Sequence, residues 1–272
     1  VKDVFFLTCG HFQAPALAIR PPGARAGTAR MTNTVAVAVR DDDGVVLVDA
    51  GFSRQTCAGP DGVLGTLRAK VLGMRVREDD AIVQQLRDLG IAPSRVKTIV
   101  ATHLHLDHLG GVCDFPDAEV VVTRPELDAF TRAGRKLASG YRAEDLAGAG
   151  RIRPVTLDAG PTYGFPASAD LFGDGQLVLL DARGHTAGST AVALRGAQTY
   201  VHIGDAVYQR WEYGLSPAGP SVQARLLSWN VDEQVRTYAR IRACEADPRR
   251  PVVVPSHDAD VFEGLPHAPR PG

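Results

Sequence analysis

The chain has 272 residues, 44% hydrophobic and 22% charged, with a formal net charge of -1 and a sequence pI of about 6.8. This length buries a large core and fits one big α/β domain or two small ones. The balanced charge excludes the basic footprint of a nucleic-acid binder, no apolar run approaches the ~20 residues of a membrane span, and the chain reads as having no charged-then-apolar leader, so a cytoplasmic protein is expected.

Residues 4–7 read as a short apolar strand, and 10–31, interrupted by Pro and Gly after Phe12, as a long loop. Residues 34–39 and 45–48 flank the turn Asp41-Asp42-Asp43-Gly44 and predict a hairpin, whose second strand runs into Asp49-Ala50-Gly51. The polar, Gly-rich stretch 53–77 reads as a loop or lid. Ile82, Val83, Leu86 and Leu89 lie at helical spacing within 79–89, and Gly90 supplies the stop. Residues 96–101 are a buried-type strand, 119–122 another, and Pro125 opens a helix to 133. Further strands are expected at 177–180, 190–194, 199–203 and 252–255, and an amphipathic helix at 232–246. With no repeat and no linker, this is one α/β domain, residues 1–264, followed by a flexible Pro-rich tail, 265–272. Cys9, Cys57, Cys113 and Cys244 are far apart and form no C-x-x-C pair, which suits reduced thiols. Cys113 alone lies close in sequence to a histidine cluster.

That cluster is His103-Leu104-His105-Leu106-Asp107-His108, set directly after the strand 96–101. Imidazole nitrogen and carboxylate oxygen are the ligands that divalent ions of zinc type prefer. In an extended segment residues two apart point the same way, so His103, His105 and Asp107 are expected to project together, with His108 turned towards a second ion. Gly110-Gly111 permits close backbone approach beside them. A surface loop that happens to be histidine-rich is the plain alternative. Of the other histidines, His185 and His257 each follow a predicted strand; His11, His202 and His267 have no such context.

The run resembles the H-x-H-x-D-H mark of the metallo-β-lactamase superfamily. The likeness continues in Asp49-Ala50-Gly51 (D-x-G), Gly184-His185-Thr186-Ala187-Gly188-Ser189 (G-H-T-x-G-S), Gly204-Asp205 and Ser256-His257-Asp258, five motifs in order from Val46 to Asp258. The resemblance implies a four-layer αβ/βα sandwich with ligands on loops at one edge of two facing sheets. It implies two divalent metal ions, zinc first, with manganese, iron or cobalt as alternatives. His103, His105 and His185 would hold one ion, Asp107, His108 and His257 the other, and Asp205 would bridge them. Asp49 would orient a ligand histidine by hydrogen bond, or else simply end its strand.

Within the superfamily, Asp205-Ala206-Val207-Tyr208 is similar to the D-x-x-Y of the N-acyl-homoserine lactonases, although an isolated tyrosine would ordinarily be a packing residue. Phe115-Pro116-Asp117-Ala118, Arg124-Pro125-Glu126-Leu127, Ser256-His257-Asp258 and residues 4–10 add to that likeness. It implies lactone opening, and hence quorum quenching, by a metal-bridging hydroxide. Asp107 would protonate the leaving group, and Tyr208 would hydrogen-bond the carbonyl. Leu106, between two ligands, either faces substrate or packs. The implied partner is a small-molecule lactone, and a homodimer is compatible with it. Redox relatives carry a glutamate where His105 stands, and the true β-lactamases lack the bridging aspartate. The alternatives on the same scaffold are a thioesterase of glyoxalase-II type or a phosphotriesterase. A protein using the metals only structurally is a further alternative.

Overall fold

A computed structural model of the chain describes residues 1–40, 44–59, 73–133, 140–214 and 219–268. Seven strands form the first sheet: β1 (Asp3–Pro15), β2 (Thr28–Arg40), β3 (Gly44–Val48), β4 (Met74–Arg75), β5 (Val96–Val100), β6 (Glu119–Thr123) and β7 (Arg151–Val155). Their spatial order is β4-β1-β2-β3-β5-β6-β7. Five more form the second: β8 (Ser168–Asp170), β9 (Leu177–Asp181), β10 (Thr190–Arg195), β11 (Thr199–Gly204) and β12 (Val252–Pro255), in the order β12-β11-β10-β9-β8.

The strands are near-continuous apolar runs because both of their faces are buried. In β3, Val45 and Leu47 point into an outer core with Ile82, Leu86 and Phe115, while Val46 and Val48 point into a middle core. That middle core is completed from the second sheet by Leu177, Leu179, Val192 and Leu194. Val178, Leu180, Ala191 and Ala193 face the opposite way, onto Tyr238 and Ile241 of the helix Val231–Glu245. Side-chain alternation thus yields three parallel cores, and three cores require four layers: helices, sheet, sheet, helices. The αβ/βα sandwich follows from this packing. Among the described residues no helix is long and apolar enough to cross a membrane.

The expected strands at 45–48, 96–101, 119–122, 177–180, 190–194, 199–203 and 252–255 and the helix at 232–246 all appear, with ends shifted by no more than a residue. The helix expected at 79–89 is shorter, Ile82–Asp88, after a single turn at Glu78–Asp80. The loop expected at 10–31 is a correction. β1 continues to Pro15 and β2 starts at Thr28, so their hairpin pairs from Asp3↔Val39 to Pro15↔Thr28 across a register shift between Thr8 and His11. Cross-strand bonding overrides the local Pro and Gly signals. The loop expected at 53–77 includes a short helix, Arg54–Ala58, capped by Ser53, and β4, which pairs with His11 and Phe12. Residues 60–72, like the acidic turn at 41–43, lie outside the described residues. The segment expected as a free tail packs where it is described: Leu265 is buried, and Phe6 N–H donates to Pro266 O at 2.9 Å.

Candidate metal centre

β5 delivers the chain through Ala101 and Thr102 to His103, and a helix begins at Leu106 with His105 as its extended N-cap residue. The extended geometry expected through Asp107 therefore stops two residues early. Asp107 lies in the first helical turn, leaves the face shared by His103 and His105, and joins His108 and His257. His185 follows β9, Asp205 follows β11 and His257 follows β12, so the C-terminal ends of strands in both sheets converge on one edge. Gly111 lets that edge close: a Cβ there would stand 2.2 Å from Ala50 O.

All seven expected ligands come together. Their donor atoms form three overlapping groups, each within 4.8 Å: His103, His105 and His185; His103, His108 and Asp205; Asp107, His108 and His257. Asp205 stands between them. Its Oδ1 is 3.2 Å from Nε2 of both His108 and His257, and its Oδ2 is 3.4 Å from His185 Nε2 and 3.8 Å from His103 Nε2. His185 Nε2 is 3.1 Å from His105 Nδ1, and Asp107 Oδ2 is 3.5 Å from His257 Nε2 and 3.6 Å from His108 Nε2.

Outer partners fix these rings. Asp49, at φ 64° despite its side chain, accepts from His108 Nδ1 at 2.8 Å and from Thr102 N–H and Oγ1 at 2.8 and 2.9 Å. Both readings of Asp49 hold: it ends a strand and it orients a histidine. Asn33 Nδ2 donates to Asp107 O at 2.8 Å, and His257 Nδ1 lies 2.5 Å from Thr32 O.

Burial pushes the pKa of His103 and His105 down and takes His185 to about 3, so these three imidazoles are neutral, the form that ligates a cation. Burial also opposes charge on His108 and His257, but the carboxylates of Asp205 and Asp107 outweigh it and raise both. For Asp205, burial is in turn outweighed by His257 and His108, which hold its carboxyl well below the usual range. The donor set suits divalent cations. Five imidazoles and two carboxylates converge, and His103 Nε2 is buried without a hydrogen bond. Such an orphaned polar atom costs roughly 1–3 kcal/mol unless something takes it up.

The centre opens onto a cavity of about 790 Å³ whose apolar wall includes Phe12, Met31, Leu106, Leu226 and Trp229. Leu106 both lines the cavity and packs in the outer core. Tyr208 is buried beside the centre, its ring centroid 5.7 Å from that of His185 and 5.4 Å from that of His257. Cys113 is not among the cavity residues; its thiol donates to Gly110 O. Tyr141 escaped the sequence reading of function, and Glu126 entered it only as part of Arg124-Pro125-Glu126-Leu127, with no role at the centre. Glu126 is bonded to the ligand loops, and Tyr141 has its ring 5.1 Å from that of His105. Their partners lie 15 to 62 positions away in the chain, so no local pattern reveals them.

Residues 27–257 match the family model of the metallo-beta-lactamase superfamily. A protein named a probable metallo-hydrolase in Mycobacterium tuberculosis is 34% identical over 234 residues, covering 83% of this chain and 74% of that protein. The N-acyl homoserine lactonase AttM of Azorhizobium caulinodans is 30% identical over 231 residues, 83% of this chain and 82% of that one. Among solved structures, an N-acyl homoserine lactone hydrolase with its product N-hexanoyl-L-homoserine at the catalytic metal centre superposes with a TM-score of 0.77. It is 17% identical and covers 98% of this chain and 97% of that one, a likeness of fold.

Proposed function

The chain belongs to the metallo-beta-lactamase superfamily, and we propose that within it the protein is a two-metal lactonase acting on N-acyl-homoserine lactones. One observation carries the choice of substrate: Tyr208. Its hydroxyl makes no hydrogen bond among the described residues, its ring stands against His185 and His257, and it lines the apolar cavity at the centre. Burial and the nearby Asp205 and Asp107 raise its pKa well above the ordinary value, so it stays a protonated donor at any working pH. A donor held ready beside the centre suits a carbonyl oxygen that gains charge in the reaction. AttM, named for the same activity, supports the reading.

His103, His105 and His185 would hold one divalent ion and Asp107, His108 and His257 the other, with the two oxygens of Asp205 shared between them. Bound there, such ions supply a hydroxide near neutral pH and polarise a carbonyl. Zinc is the first choice for these nitrogen and oxygen donors. Asp107, partly exposed to the cavity, would take the proton given up by the attacking water and return it to the departing alkoxide. Leu106, Phe12 and Met31 would hold the apolar part of the substrate and exclude water. Both sheets contribute to the centre, so the catalytic unit is a single one.

The test is a panel of acyl-homoserine lactones of rising chain length, with thioester and phosphotriester substrates alongside. Lactones should be preferred, and the apolar wall should favour longer acyl chains by about 0.8 kcal/mol per buried methylene. Preference for thioesters or phosphotriesters by orders of magnitude would end the lactonase reading and leave the metallo-hydrolase family intact.

A further inference from the structure

Glu126 is completely buried near the start of the helix Arg124–Ala133 and has no ion pair among the described residues. Four donors surround it. Its Oε1 accepts from Leu104 N–H and from the Tyr141 hydroxyl, both at 3.0 Å. Its Oε2 accepts from the Thr186 hydroxyl at 2.6 Å and from Gly188 N–H at 3.1 Å. Leu104 separates His103 from His105, Thr186 follows His185, and the Tyr141 ring lies against His105. One carboxylate therefore ties the loop after β5, in the first sheet, to the loop between β9 and β10, in the second. Gly188 is part of the fit: a Cβ there would stand 2.1 Å from Glu126 N.

Asp107 is anchored apart from these through Asn33, and His257 by Thr32 O, while His108 is held by Asp49, which also bonds Thr102 beside His103. We propose that Glu126 is a positioning residue that sets the His103–His105–His185 half of the centre and, with it, the affinity of that half for its metal ion. The inference rests on the two-metal reading above. A glutamine has the right size and the wrong chemistry. Leu104 and Gly188 are backbone donors, one on each oxygen, and neither can reverse its role. Whichever way the amide turns, one of them meets an NH₂ group.

The experiment is calorimetric titration of the metal-stripped full chain with Zn²⁺, comparing native, Glu126→Gln and Asn33→Ala. The native chain should show two binding events. Glu126→Gln should weaken one of them about 10- to 100-fold and leave the other, while Asn33→Ala should weaken the opposite one. Where Glu126→Gln does not fold, Thr186→Val, which removes a single donor, should weaken the same event as predicted for Glu126→Gln. Equal weakening of both events, or of neither, overturns the proposal, because a general loss of structure has no preferred half. A native chain that binds no zinc would instead overturn the two-metal reading itself.

Discussion

At the scale of single residues, the centre depends on side chains with two jobs. Asp205 offers one oxygen to each half of the ligand set, and the opposing histidines keep it ionised where burial alone would protonate it. Asp49 accepts three hydrogen bonds from a left-handed backbone conformation that costs a non-glycine residue of order 1–3 kcal/mol, a strain its position at the ligand loop explains. On the lactonase reading proposed above, Tyr208 is the residue whose change would separate binding of metal from turnover. Tyr208→Phe should lower kcat/KM for lactones about 100-fold while the metal content stays the same. Steady-state kinetics with metal analysis on the same sample checks this, and unchanged turnover would remove Tyr208 from the mechanism.

At the scale of elements, the turn after Tyr208 holds a further buried carboxylate. Glu212, in the short helix Trp211–Gly214, accepts from the Tyr238 hydroxyl at 2.6 Å, and burial pushes its pKa up to about 7. Its pKa in the folded chain lies above the ordinary 4.5. Its contribution to stability is therefore fully present below pH 4.5 and is lost as the pH rises through about 7. The loss amounts to about 3 kcal/mol. Glu212→Gln should abolish that slope, so the melting temperature of the variant relative to the native chain should climb between pH 5 and 8; parallel curves would contradict the prediction. Most elements were legible from local pattern, as with β3 and β9, whose apolar runs are too short for a helix and are bounded by turn residues. The β1–β2 hairpin was not. Its arms beyond Thr8 and before Asn33 exist because Phe12 pairs with Met31 and Gln13 with Arg30. Such pairing satisfies backbone groups that a local reading of Pro and Gly leaves to solvent.

At the scale of the whole molecule, the centre is a clasp between the sheets. His103, His105, Asp107 and His108 come from the first, and His185, Asp205 and His257 from the second. An ion bound by both sides stabilises the folded chain by mass action, about 4 kcal/mol at a thousandfold excess over its dissociation constant. Chelation should therefore lower Tm by about 10 °C, and added zinc should restore it, as scanning calorimetry would show. An unchanged Tm would mean that the ions do not bridge the layers. The sequence by itself determined the superfamily, the αβ/βα fold class and the places of most strands along the chain. Metal chemistry admits few residue types, and strands buried on both faces admit only apolar ones. The tertiary structure alone decided that Asp107 turns away from His103 and His105, that the hairpin reaches the cavity, and that Glu126 ties the two ligand loops. The first rests on the helix that begins at Leu106, and the other two on contacts between residues distant in the chain, 60 positions for Glu126 and Thr186, which no local pattern encodes.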